Sequence, residues 1–152
     1  MAAGDGVTPL PDVPAGTVAI LSTGGGPPLA IPVSALVRVD GRRMLLALAS
    51  GRESLARVRR EPRVAVTLMA EGNIAVTAEG RARVVAERLP DADDVSAVLV
   101  TTVRVKDHGQ PTFTVDAGVR WHWIDEAASS RDAAVRAALT ASAADIGPPG
   151  GA

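Results

Sequence analysis

Four residues at a helix start, Ser50, Arg52, Ser54 and Arg57, bring two hydroxyls and two guanidinium groups within eight positions of one another. That donor set suits an anion, and phosphate in particular, because guanidinium forks match phosphate oxygens and hydroxyls add single bonds. The four follow an apolar run of strand length, Met44 to Ala49, and precede Pro62, which ends a short basic helix. Ser50-Gly51-Arg52-Glu53 fits a capping box, in which the Ser50 hydroxyl accepts from the Glu53 N–H and the Glu53 carboxylate reaches back to Ser50. A helix start also offers free N–H groups and the positive end of the dipole. Eight arginines lie between Arg38 and Arg63, against Asp40, Glu53 and Glu61, so the surrounding stretch is locally basic. Most capped helices bind nothing and most surface arginines are solvated, so the pattern needs support from the rest of the chain.

Other chemistries find less support. There is no G-x-S-x-G elbow, and the two histidines, His108 in a turn and His122 in a strand, have no nearby nucleophile–acid pattern. Asp91, Asp93 and Asp94 fail the calcium-loop pattern: counting from Asp91, Ser96 stands where glycine is needed and Thr102 where glutamate is needed. With no cysteine there is no disulfide, thiolate zinc site or iron–sulfur cluster, and no metal site is expected. Gly24-Gly25-Gly26 is followed by a proline pair instead of a helix, which makes it a turn and not a dinucleotide fingerprint. A net charge of -1 and three aromatics, Phe113, Trp121 and Trp123, argue against a nucleic-acid surface. The N-terminus has no signal-peptide pattern, and no apolar run approaches the roughly 20 residues of a membrane helix. The expectation is a cytoplasmic protein.

The elements that would position the anion grip are mostly strands. A length of 152 residues, 47% hydrophobic but only 2% aromatic, suits one domain with a Val, Leu, Ile and Ala core. Residues 1–15 read as a loose N-terminus, 16–125 as the barrel domain, 126–145 as a C-terminal helix and 146–152 as a tail. Thr17 to Thr23 and Leu29 to Val37 form a hairpin across the glycine run. Pro32 sits inside the second strand and, having no N–H, must lie at an edge, at a bulge or facing a ligand. Asp40-Gly41 turns the chain into Met44 to Ala49. After the helix, Gly51 to about Arg60, come strands Arg63 to Ala70, Ile74 to about Glu87 with a bulge at Gly80, and Ser96 to Lys106, with an acidic turn at Leu89 to Asp94. Pro111 to Val115 and Val119 to Ile124 read as closing strands, and Ser129 as the cap of the last helix. The pattern predicts a mainly β (α+β) fold: a six- to seven-stranded antiparallel split barrel with a short helix after the third strand and a helix at the C-terminus.

This order resembles the pyridoxamine 5'-phosphate oxidase-like proteins, the flavin-binding split barrels. The helix end Arg59-Arg60-Glu61-Pro62-Arg63-Val64 is similar to the Arg-Arg-Asp-Pro-Arg-Val pattern that ends the equivalent helix of that family, and Gly118-Val119-Arg120-Trp121-His122-Trp123 looks like the closing strand of its small bacterial members. The resemblance implies a homodimer with flavin mononucleotide (FMN) at the interface, a small-molecule substrate and oxidoreductase chemistry. Carried over by position, Ile31, Pro32, Val33 and Ser34 would line the isoalloxazine ring. Ser50, Arg52, Ser54 and Arg57 would surround the phosphate, and Trp121 or Trp123 would cover the pocket from the partner subunit. Ser54 stands where the family often has a phosphate-binding lysine, and Arg57 where an asparagine is common. Relatives with deazaflavin, with haem or with no cofactor leave two further readings: a deazaflavin-dependent reductase, and a cofactor-free barrel that binds a ligand or a partner.

Overall fold

In the computed structural model, which describes residues 6–148, seven strands form a single antiparallel sheet. They are β1 (Ala19–Thr23), β2 (Leu29–Val33), β3 (Leu36–Arg38), β4 (Arg43–Ala49), β5 (Arg63–Ala70), β6 (Ile74–Ala86) and β7 (Val95–Asp107). Their lateral order is β2-β1-β5-β6-β7-β4-β3. β2 and β3 therefore occupy opposite edges, although only Ser34 and Ala35 separate them in the chain. In a flat sheet those edges would stand about 29 Å apart, at about 4.8 Å per strand spacing. The step from Val33 to Leu36 spans about 11 Å at most. The sheet must curl until its edges meet at Ser34-Ala35, and the result is the predicted split barrel, mainly β with two helices, α1 (Glu53–Arg60) and α2 (Glu126–Asp145).

Burial follows from this curl. One core lies inside the barrel, where Leu21, Val33, Met44, Leu46, Leu48, Val66, Leu68, Val98 and Val100 meet Leu55 and Val58 of α1. A second lies outside β4 and β7, where Leu45, Val95, Ala97 and Leu99 meet Val135, Ala138 and Leu139 of α2. β4 and β7 are covered on both faces, which explains why they read as continuous apolar runs instead of alternating ones. Pro32 lies in the edge strand β2 opposite Ile20, where no ladder needs its missing N–H. The bulge at Gly80 is present as a register shift between Glu79 and Gly80. A Cβ at Gly80 would stand 2.3 Å from the Thr101 carbonyl oxygen, so only glycine permits that approach.

The structure corrects four expectations. The stretch from Leu29 to Val37 is two strands, broken where the chain crosses from one edge of the sheet to the other. Ser50 does not cap α1: its N–H donates to the Asp94 carbonyl at 2.8 Å, which holds it to the loop before β7. Arg52 takes the N-cap position instead, with no side-chain capping bond. Asp125, not Ser129, caps α2, accepting from the Ala128 N–H at 2.7 Å. Residues 111–115 and 119–124 form no strand. Val119 is 67% and Ile124 92% exposed, so their alternating pattern meets no partner edge. That stretch is tied down at points instead, by a two-way bond between Asn73 and Val115 and by Trp121 Nε1 donating to the Gly16 carbonyl at 2.9 Å.

The expected loose termini lie partly outside the described residues. Within them, Leu10 is buried and donates to the Gly41 carbonyl at 2.7 Å, while the Gly147 carbonyl accepts from Arg43 at 2.8 Å.

Candidate functional site

The joint that closes the barrel also forms the floor of a cleft. Pro32, Val33, Ser34 and Ala35 line it from the β2–β3 crossing, Ala47, Leu48 and Ala49 from the end of β4, Arg52 from the start of α1, Val95 from β7 and Val135 from α2. Its volume is about 140 Å³. Residues near position 33 and position 52 meet here because β4 runs back along the β3 edge and delivers α1 to the same end as the joint. Four of the residues singled out in the sequence, Pro32, Val33, Ser34 and Arg52, thus share one wall system. Ile31 does not line it; its side chain packs on the barrel core.

The donors of the proposed anion grip have separated roles. Arg52 is exposed, and its side chain has no hydrogen-bond or ion-pair partner among the described residues. Ser54 is 1% exposed, and its Oγ has no partner among the described residues. Its position in the first turn of α1, two residues after Arg52, puts an unused hydroxyl beneath an uncapped helix start. Ser50 is exposed and lies outside the cleft lining. Arg57 is buried, and each nitrogen of its guanidinium has a partner: Nε and Nη2 donate to Glu53 Oε1 at 3.1 and 2.8 Å, and Nη1 donates to the Pro27 carbonyl. The guanidinium lies over Gly26, so Arg57 clamps α1 to the β1–β2 hairpin. A sequence signal for this existed: Arg57 is four residues after Glu53 and on the same helix face as Ser54, Leu55 and Val58, the buried residues of α1.

A second cavity, about 300 Å³, adjoins the cleft through Val135 and is lined by Trp123, Ala128, Arg131, Asp132 and Val135. The tryptophans lie beside this chain's own α2. Trp121 and Trp123 meet edge to face with centroids 5.2 Å apart, and the Arg136 guanidinium lies 6.0 Å from the Trp121 ring. Arg136 donates from Nε to Asp132 at 2.7 Å and from Nη2 to the Ser34 carbonyl at 2.6 Å, which fixes α2 to the barrel joint. Arg131 pairs with Asp94. Sequence reasoning missed Asp132 and Arg136 as part of the site. Their i,i+4 spacing marked an ion pair, but nothing marked its target at Ser34.

Two other features stand apart from this region. A cavity of about 500 Å³ on the outer sheet face is lined by Ser22, Thr23, Arg63, Glu79, Arg81 and Val103 among others, and includes none of the residues expected to hold a cofactor. His108 Nε2 and Thr77 Oγ1 are 2.8 Å apart, and Thr77 bonds Thr67 at 3.1 Å, a hydroxyl chain with no carboxylate in it. No described helix is long and apolar enough to cross a membrane.

Residues 7–115 match the family model described as pyridoxamine 5'-phosphate oxidase. No curated protein matches the chain at a significant level. Among solved structures, a Listeria innocua protein provisionally named a pyridoxamine 5'-phosphate oxidase superposes with a TM-score of 0.51 at 15% identity, covering 60% of this chain and 88% of the other. A similarly named Lactobacillus delbrueckii protein gives 0.51 at 17% identity, covering 59% and 83%. HupZ of Group A Streptococcus gives 0.53 at 9% identity, covering 68% and 90%. At these identities the likeness is one of fold.

Proposed function

Because the chain belongs to the pyridoxamine 5'-phosphate oxidase family, we propose that it is a flavin-binding oxidoreductase that takes FMN at the cleft beside the barrel joint. One observation carries the reading: Pro32, Val33 and Ser34 share a single cleft with the unpaired Arg52 at the start of α1. The local residues fit a phosphorylated group. The buried Ser54 Oγ has no partner, and a buried hydroxyl left in that state costs about 1–3 kcal/mol. A phosphate would be held by the Arg52 guanidinium and the uncapped N–H groups of α1, with the Ser54 hydroxyl, which does not line the cleft, buried behind them. Ser50 lies at the outer edge of this group. Pro32 to Ser34 offer backbone to the ring, and Arg57 serves by holding α1 in place. When bound, the flavin supplies the electron transfer, and the chain supplies position and a dry face.

The same reading includes a homodimer. Ile20 is 38%, Met69 54% and Val103 57% exposed on the outer sheet face, apolar surface that a second copy would cover.

The test is an absorption spectrum of the purified protein before and after FMN is added and excess removed. Retained flavin bands support the reading, and Arg52→Ala should then weaken binding by about one to two decades, the value of a charge-assisted contact. A protein that retains no flavin overturns it. A second reading, a cofactor-free binding barrel, has its own observation: the cleft of about 140 Å³ falls below the roughly 300–1,000 Å³ of ordinary ligand pockets. Absence of bound flavin after incubation favours that reading.

A further inference from the structure

We propose that the cavity between Trp123 and α2 is the substrate pocket, and that it takes a small, flat, uncharged apolar ring system in place of a phosphorylated one. This rests on the flavin reading only in the word substrate; the pocket and its ligand class rest on the cavity itself. Trp123, Ala128 and Val135 make its apolar walls, and about 300 Å³ suits a small molecule of one or two rings. Trp123 is 42% exposed, and an exposed indole on a chain with three aromatics calls for an explanation. Its ring is held in advance of any ligand. Trp121 abuts it edge to face, and Trp121 is itself fixed by its bond to the Gly16 carbonyl and by Arg136 over its ring. Such a preorganised face presents stacking area at little entropic cost.

Charge decides the ligand class. Two charged side chains reach the cavity, Arg131 and Asp132, and both are committed: Arg131 to Asp94, and Asp132 to Arg136. Arg136 is further engaged by the Ser34 carbonyl. A phosphate here would share Arg131 with the Asp94 carboxylate, which already offsets its charge, and would face the Asp132 carboxylate. A neutral ring disturbs neither pair. The location supports the assignment as well, since Val135 is a wall of both this cavity and the cleft, so a ligand on Trp123 lies one side chain from the cofactor position.

The experiment is calorimetric titration of the full chain with 2-naphthol, with naphthalene-2-sulfonate as its anionic counterpart, and with pyridoxine 5'-phosphate. The expected result is one site for 2-naphthol and binding at least about tenfold weaker for both anions, the scale of one unfavourable charge contact. Trp123→Ala should weaken 2-naphthol about tenfold, and Trp123→Phe should restore most of the affinity. Ala128→Leu, which fills the pocket from α2, should abolish binding even if Trp123→Ala proves unstable. No binding of 2-naphthol, equal or tighter binding of either anion, or indifference to both Trp123→Ala and Ala128→Leu overturns the proposal. A parallel FMN titration keeps the two ideas separate. Naphthol binding without flavin binding removes the flavin reading and supports the pocket, and the converse removes the pocket alone.

Discussion

Arg57 separates a structural from a cofactor role, and its replacement by alanine has a calculable effect. Three losses follow. The carbonyl of the exposed Pro27 loses its donor and turns to water, a loss of about 0.5–1.5 kcal/mol. The methylene stem of a side chain only 8% exposed leaves a gap beside Gly26, about 0.8 kcal/mol for each of roughly two methylenes. The Glu53 pair adds little, about 0.3–0.5 kcal/mol, because the Glu53 side chain is 63% exposed and its charge stays in water. Relief of guanidinium desolvation opposes these terms. The net expectation is about 2 kcal/mol, or a fall in Tm of about 4–8 °C for a domain of this size. Arg57→Met keeps the stem and should lose about half as much. Thermal and urea unfolding measure the effect, and an FMN titration of the same variant at a temperature where it is folded measures the alternative. A variant that keeps its Tm within about 2 °C but loses a decade or more of FMN affinity would refute the clamp and return Arg57 to the phosphate.

Three further outcomes follow from single observations. Glu61 has its carboxyl pKa lowered from 4.5 to about 2, first by the side-chain bond from Arg63 and then by the Arg63 N–H. A depressed carboxyl stabilises fully above its unfolded value, so the stability gap between wild type and Glu61→Gln should hold at pH 7 and close as pH falls from about 4.5 toward 2, read from urea midpoints. Gly80→Ala should cost about 1–3 kcal/mol or more in the same assay, because its Cβ would meet backbone 2.3 Å away that no side-chain rotation relieves. Leu139→Ala, at a fully buried position of α2, should cost about 2–5 kcal/mol.

What the sequence made legible was whatever a short window contains. The glycine run, the edge position of Pro32 and the bulge at Gly80 are local rules of backbone geometry, and each stands where expected. Apart from the cap of α2, where Asp125 and not Ser129 accepts from the nearby Ala128 N–H, the misreadings involve a distant partner. Ser50 has the chemistry of a cap, but Asp94, brought close by the β4–β7 pairing, takes its N–H and leaves α1 to begin at Glu53. Val119 to Ile124 alternates as a strand does, but both edges of the curled sheet belong to β2 and β3. Arg57 offered the fork of a phosphate ligand, and only its place on the Leu55–Val58 face pointed inward.

The location of the site follows from the same closure. Two residues link strands at opposite edges, so Ser34 and Ala35 are the one place where the barrel wall is a crossing instead of a ladder. The backbone there is in neither strand: the Ala35 carbonyl accepts from the Ala47 N–H of β4 at 3.1 Å, and the Ser34 carbonyl is taken by Arg136 of α2. Arg136 also bonds Asp132 and lies over Trp121, so one guanidinium connects the floor of the cleft, the helix that walls it and the tryptophan pair beside it. A change at Arg136 should therefore alter both cavities together, whereas a change at Arg52 should alter the cleft alone. Arg136→Ala titrated with FMN and with 2-naphthol provides the comparison. Loss of affinity for one ligand with the other unaffected would show that the two cavities are independent and that α2 is no shared wall.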